Sequence, residues 1–343
     1  MNTKIIATIG PKTESPAKTS GLLSAGVDIV RVNFSHANYN QYRIIKKTID
    51  AFNRRNRDRR VALMLDLQGP RIRVGIMPPD GLLLKHRQIY RFAYSRSAYQ
   101  PGSIIPINNS DLCRDIKPGD PLFLCNGEIE LLVKEVKGSV ISAKVMTGGL
   151  LSSNKGINVP DTKIKKGGLT AKDIQDVRFG QKVGMDYIAL SFVQDDGDIL
   201  RLRRLLGPKS KVKIISKIER AIALKNIDKI IAASDVIMVA RGDLGIEVPV
   251  EDLPIIQKNL VRHAHWHDRP AIIATQVMTS MILNPHPTRA EVSDIANAVF
   301  DGADMVMLSD ETAVGDYPLQ AIRTLRKVLD RSERYIYKGN VIN

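Results

Sequence analysis

The 343-residue chain is predicted to be an α/β protein, a closed (β/α)8 barrel carrying one inserted, mainly β lid domain. Three observations predict it. Eight short apolar, β-branched runs recur along the chain. Amphipathic segments lie between several of them. One long interval after the third run breaks the rhythm and is rich in turn residues.

The eight runs are Thr3–Ile9, Asp28–Phe34, Val61–Leu67, Tyr187–Phe192, Val212–Ile218, Asp235–Ala240, Ala271–Thr275 and Met305–Leu308. Several lack polar alternation, as strands buried on both faces must. Ala221–Ala233, Leu253–His265 and Pro318–Leu329 have the helical period expected of an outer layer. The interval from Arg71 to Lys163 holds Pro78-Pro79 and Gly148-Gly149. Its short β-like runs are Leu82–Leu84, Pro121–Cys125, Glu130–Val136 and Val140–Val145. The expected division is a barrel from 1–70 and 164–343, with the insertion at 71–163 between strand three and the helix after it. That point is the C-terminal mouth of a barrel, where active sites form, so the insertion is placed to act as a lid.

Composition narrows the function classes. Hydrophobic residues at 43% and charged residues at 25% suit a soluble globular protein. No apolar run approaches the roughly 18 residues of a membrane span. Met1–Gly10 reads as a strand and not as a signal peptide, because no long apolar core follows. Cys113 and Cys125 cannot make a disulfide framework, so a reducing cytoplasm is expected. The net charge of +15 admits nucleic acid, an anionic membrane or anionic small substrates. The densest basic run, Arg54–Arg60, reads as a solvated helix end and turn. Aromatics are 5% and do not interleave with the basic residues, so neither nucleic acid nor membrane is an expected partner. The charge is compatible with phosphate-rich substrates.

Polar residues terminate six of the strands. Strand two ends in Arg31, Asn33, Ser35 and His36, and strand three in Asp66, with Arg71 and Arg73 beyond. Strand five ends in Lys217 and Glu219, strand six in Ala240-Arg241-Gly242-Asp243, strand seven in Thr275-Gln276, and strand eight in Ser309, Asp310 and Glu311. Each alone has a bland explanation as a cap, a turn or a rim salt bridge; on one barrel rim they converge. Glu219 and Asp243, on adjacent strands, are hard oxygen donors suited to Mg2+. No HExxH and no cysteine pair at zinc spacing occurs. Arg31, Arg73 and Lys217 could clamp a transferring phosphoryl group, and backbone amides of Ala240–Gly245 could hold a carboxylate or phosphate. There is neither a Walker loop nor a protein-kinase glycine loop.

The sequence resembles the pyruvate kinases. The resemblance rests on TKIIATIGPKTES (3–15), RVNFSHA (31–37), LDLQGPRIRVG (65–75), NKGINVPD (154–161), LTAKDIQDVRFG (169–180), ISKIE (215–219) and IMVARGDLGIEVP (237–249). It continues through the 36-residue segment 274–309 and DETAVGDYP (310–318), all in order over nearly the whole chain. It implies transfer of a phosphoryl group between phosphoenolpyruvate and ADP, giving pyruvate and ATP, the last step of glycolysis. It also implies Mg2+, with Mn2+ as a substitute, on Glu219 and Asp243, and Lys217 stabilising the transferring group. Arg31 and Arg73 would contact phosphates, and Gly242, Asp243 and Thr275 would hold the substrate carboxylate. Asn33, His36, Arg73 and Lys155 would lie along the nucleotide. A proton relay would run near Thr275, with Ser309 and Glu311 as weaker members. A homo-oligomer, dimer or tetramer, is implied as well.

Three departures from the family's pattern modify these expectations. Many members bind K+ with Asn, Ser, Asp and a Thr carbonyl, and carry Glu after strand three. Here Asn33, Ser35, Asp66 and Leu67 leave a vestigial K+ site, and Arg71 replaces the acid. Arg71 is therefore expected to supply the charge of K+, which is not expected to be required. The chain stops at Asn343, where typical members carry a further α/β domain, so no response to sugar phosphates is expected. Cys125-Asn126-Gly127 stands where Asp-Asp-Gly is usual, a change that could weaken lid closure, and His36-Ala37 replaces His-Gly. Two other functions fit part of the pattern: a Mg2+-dependent pyruvate-enolate lyase or aldolase on the same barrel, and a non-catalytic binder, of RNA for example.

Overall fold

The structure, a computed structural model, describes residues 3–160, 162–165 and 168–338. Asp161, the last residue of NKGINVPD, and residues 1–2, 166–167 and 339–343 of the expected barrel range lie outside the described residues.

Eight parallel strands close into a barrel: β1 (Lys4–Thr8), β2 (Ile29–Asn33), β3 (Ala62–Asp66), β4 (Tyr187–Leu190), β5 (Lys213–Ile218), β6 (Val236–Ala240), β7 (Ala271–Ala274) and β8 (Met305–Leu308). Each pairs with its sequence neighbours, and β8 returns to β1. Helices follow the strands, giving the TIM-barrel architecture expected. The strands look uniformly apolar because both faces are buried. Ile6, Ile29, Met64, Ala189, Ile215 and Met238 fill the barrel interior. Their alternates, such as Val30, Leu63, Leu65 and Ile188, pack outward with the helices.

Several strands stop before the apolar run does. Phe34, Leu67, Phe192 and Thr275 lie just past β2, β3, β4 and β7, where the chain turns. The segment Ala221–Ala233 is two helices, Ala221–Lys225 and Ile227–Ala233, broken at Asn226, whose side chain donates to Gln194 O at 3.0 Å. Of the basic run, Arg54, Arg55, Arg57 and Arg60 are exposed. Arg59 instead donates to the carbonyls of Leu23 (2.8 Å) and Val27 (2.6 Å). Among the described residues no helix is long and apolar enough to cross a membrane.

The insertion has its own core, built on Val74, Phe92, Leu122, Leu131 and Ile141 among others. Its main sheet runs Ile157–Asn158, Pro121–Leu124, Ile129–Lys137, Val140–Thr147, Ile89–Tyr94, Ile105–Ile107, beside a two-stranded pair of Leu82–Leu84 and Gly149–Leu151. The two crossings from barrel to insertion pair with each other. Arg73 bridges Gly156, Val74 N donates to Lys155 O (2.9 Å), and Ile157 N donates to Ile72 O (2.9 Å). The crossing is therefore a narrow antiparallel ribbon. At its barrel end, Asp173 accepts Gly69 N (3.2 Å) with one oxygen. With the other it closes the capping box of the Ala171–Val183 helix.

Candidate active site

Strand period two explains which side chains enter the mouth. Ile6, Ile29, Met64, Ala189 and Ile215 all belong to the interior layer. The residues two positions on are Thr8, Arg31, Asp66, Ser191 and Lys217, which therefore point inward at the C-terminal rim. They form one buried network. Arg31 Nε lies 2.7 Å from Asp66 Oδ2, and its NH1 donates to Thr8 Oγ1 at 3.0 Å. Lys217 Nζ reaches Glu219 Oε1 (2.9 Å), Ser191 Oγ (2.9 Å) and Asp66 Oδ1 (3.5 Å). Ser191 Oγ donates to Leu67 O at 2.7 Å, and Phe192 N donates to Glu219 Oε2 at 2.7 Å.

The charges are unequally balanced. Burial works against the ionised carboxylate of Asp66, but Lys217 and Arg31 outweigh it and hold the group below its ordinary range. Burial also works against the ammonium of Lys217, but Asp66 and Glu219 outweigh it and push the group up. Glu219 is pushed up by burial, and by the nearby carboxylate of Asp243, against the pull of Lys217. So Asp66 has two cations, whereas Glu219 shares one lysine and faces a second acid. Glu219 and Asp243 thus bring two hard oxygen donors close together, with the partly exposed guanidinium of Arg71 on the Asp243 side at 3.0 Å. Such a pair fits Mg2+, which takes one or two carboxylates and fills its other positions with water and substrate oxygens. No cluster of three or more His, Cys, Asp or Glu suited to a metal occurs among the described residues.

A second group lies beside the first. Gly242 and Asp243 sit in the first turn of the Arg241–Glu247 helix after β6. Gly242 N donates to Thr275 Oγ1 at 2.7 Å. Thr275 and Gln276 are left-handed, at φ 68° and 52°, a costly conformation for a β-branched residue. Arg241 holds them there, donating to Thr275 O (2.8 Å) and Gln276 O (3.2 Å), while its NH1 lies 2.7 Å from Asp294. Glu311 uses both carboxylate oxygens on backbone amides, Met278 N (3.0 Å) and Ser309 N (2.8 Å), tying the ends of β7 and β8 together.

The lid adds cations. Arg71 NH2 lies 3.0 Å from Asp243 Oδ1, and its guanidinium sits over the Phe192 ring at 5.8 Å. Arg73 donates to Asn154 O (2.9 Å) and is pushed down by burial and by the neighbouring Arg71, with Asp243 pulling it back up. The chain at Cys125, Asn126 and Gly127 is left-handed throughout, and a Cβ on Gly127 would stand 3.5 Å from Ile246 of the Arg241–Glu247 helix.

Three of the four donors of the vestigial K+ site, Asn33, Asp66 and the Leu67 carbonyl, have protein partners. Asp66 is held by Arg31 and Lys217, and Asn33 Oδ1 accepts Ser35 N at 3.1 Å. The Leu67 side chain is buried in the core and its carbonyl is taken by Ser191. Arg71 stands at Asp243 and makes no hydrogen bond or ion pair with Asn33, Ser35 or Asp66. The side chains of His36 and Lys155 are exposed and make no hydrogen bond or ion pair with a described residue. Three residues of the network, Thr8, Ser191 and Phe192, are not picked out from the sequence; Arg241 is read there as a strand-end residue, without its bracing role. The strand alternation identifies the first two.

Comparison with known proteins agrees with this geometry. The family model described as "Pyruvate kinase, barrel domain" matches residues 1–322. A pyruvate kinase of Agrobacterium vitis is 40% identical over 332 residues, covering 97% of this chain and 68% of that protein. One of Thermotoga maritima is 40% identical over 335 residues, covering 97% of this chain and 71% of its own length. One of Geobacillus stearothermophilus is 40% identical over 346 residues, with 99% of this chain and 58% of its own length covered. A closed barrel with lysine, arginine and two carboxylates at its mouth, and matches over nearly all of its length, place this chain in the pyruvate kinase family.

Proposed function

We propose that the barrel mouth transfers the phosphoryl group of phosphoenolpyruvate to ADP, with the chain's own residues dividing the work as follows. Lys217 and Arg31 hold the phosphoryl oxygens, and Lys217 follows the charge as it moves, since phosphoryl transfer depends on position and electrostatics more than on covalent chemistry. Glu219 and Asp243 would hold the divalent ion, which would supply charge neutralisation to the phosphoryl group when bound. The Gly242–Asp243 turn and Thr275 Oγ1 orient the substrate carboxylate. A relay through water near the Thr275 hydroxyl would deliver the proton that the methylene carbon of the enolate takes up to form the methyl group of pyruvate. Arg73, Asn33, His36 and Lys155 hold the nucleotide from the lid and the rim, and Arg71 adds a fixed charge beside Asp243.

The single observation that carries this reading is the Lys217 ammonium between Glu219 and Asp66, at 2.9 and 3.5 Å, inside a basic mouth. A carbon–carbon lyase could use the acids and the metal, but has no need of this phosphate-binding set. An idle binding protein would have no use for a buried lysine whose two acid partners point into one opening. The same geometry supports K+ independence, because Asp66 and Asn33 are already engaged by Arg31, Lys217 and the Ser35 amide. The test is ATP formation from phosphoenolpyruvate and ADP with Mg2+, run in K+ and in tetramethylammonium. Equal rates in the two salts are expected. No ATP in either would remove the functional reading, and a rate that collapses without K+ would remove the cation reading.

A further inference from the structure

Adjacent residues at the end of β5 serve opposite sides of the rim. Glu219 turns toward Lys217, whereas Arg220 turns toward the segment that brings the chain back from the lid. Arg220 is 6% exposed, and all its donor nitrogens are directed at named partners. Its NH2 donates to the carbonyls of Val159 (2.7 Å) and Thr162 (3.0 Å), and NH1 donates to Gln194 Oε1 (3.2 Å). Its Nε lies 3.5 Å from Glu247 Oε2. Glu247, also buried, accepts Asn158 Nδ2 (3.3 Å) and Ala221 N (3.3 Å). Gln194 grips the same segment as a strand would, accepting Ile164 N and donating to Ile164 O, both at 2.9 Å.

We infer that Arg220, with Gln194 and Glu247, positions the lid over the nucleotide by holding Asn158, Val159, Thr162 and Ile164 of its return segment to the barrel. Gln194, Arg220 and Glu247 follow β4, β5 and β6 in turn, three successive strands, and each reaches a backbone or side-chain group of that segment. A guanidinium taken out of water is costly unless its donors are met, and the NH2 of this one is met by two carbonyls of the lid segment. Shifting the segment would strand the charge, so the segment moves with the barrel. Lid motion is then confined to the Ile72–Val74 and Lys155–Ile157 ribbon, which contains Arg73 and directly follows Arg71. Glu247 also shares a helix face with Asp243 four residues earlier, so lid anchor and metal acid ride on one short helix.

The inference rests on the proposed reading of the insertion as a lid over the nucleotide. Arg220→Met keeps the apolar stem and removes the contacts of the guanidinium with Val159, Thr162, Gln194 and Glu247. The expected result, by calorimetry with Mg2+ present, is ADP affinity lower by about tenfold and phosphoenolpyruvate affinity within about twofold of wild type. Glu247→Gln should move the same ratio in the same direction. A melting temperature that falls in either variant while both affinities stay at wild-type values would overturn the inference, because a purely structural brace gives that result. If Arg220→Met does not fold, Glu247→Gln decides alone, and an unchanged ADP affinity overturns the inference. ATP formation by the wild type, measured in parallel, tests the functional reading separately, since the affinity ratio can shift in a protein that turns nothing over.

Discussion

Arg71 and Asp243 face each other across the barrel mouth, NH2 to Oδ1 at 3.0 Å, one from the outgoing limb of the lid and the other from the helix after β6. Both are partly exposed, at 26% and 21%, so the pair contributes about 1 kcal/mol or less to stability. Its importance is electrostatic: the guanidinium competes for a carboxylate proposed to hold the divalent ion.

Arg71→Gln should therefore bind Mn2+ several-fold more tightly without substrate, with little change in melting temperature. Counting free Mn2+ by electron paramagnetic resonance reads this directly. Unchanged or weaker affinity would mean that Arg71 does not compete for Asp243.

Removing Lys217 should destabilise the fold in a pH-dependent way. Breaking a buried ion pair costs about 3–5 kcal/mol when its acids are ionised. Asp66 has a depressed folded pKa, so its contribution is present above its unfolded value and is lost as pH falls through the folded one. Lys217 has a raised folded pKa, so its contribution is present below its unfolded value and is lost as pH rises through the folded one. Glu219, pushed up, works against stability as it ionises, and does so more without Lys217. The deficit of Lys217→Met should be largest near neutral pH and shrink below about pH 4. Urea titrations across that range check it; a deficit independent of pH would contradict the network.

Arg241→Met should release the left-handed pair Thr275–Gln276 and loosen the Gly242 turn. Misplacement of reacting groups by about 1 Å costs on the order of 10²-fold, so kcat should fall by about that much. Loss confined to KM would show that Arg241 matters only for ground-state binding.

Glu311→Gln distinguishes a brace from a proton relay. With both carboxylate oxygens committed to Met278 N and Ser309 N, one amide loses its acceptor, costing about 1–3 kcal/mol. The melting temperature should fall while kcat stays within a few-fold. A large loss of kcat in a variant of wild-type stability would restore Glu311 to the proton path.

The eight strands were legible because burial on both faces leaves short unbroken apolar runs such as Val236–Ala240. The site was legible wherever a charge stood two residues past the interior layer, as Lys217 does past Ile215. It was hidden at Ser191 and Phe192, because an aromatic residue prolongs the apolar run and conceals the turn, which the left-handed Phe192 (φ 57°) makes. Strand Ile89–Tyr94 was hidden because Phe92 is its single fully buried residue, leaving too weak an alternation. Contacts such as Arg71 with Asp243, or Arg220 with Val159, depend on how the insertion is seated on the barrel. Local pattern carries no information about that.

The most direct test of the central claim is the single-turnover rate of phosphoryl transfer from phosphoenolpyruvate to ADP in Lys217→Met beside wild type, with folding checked by circular dichroism. If this lysine steadies the migrating phosphoryl group, the folded variant should be slower by about 10²–10³-fold or more. A folded variant that transfers the group within about tenfold of wild type would contradict the account.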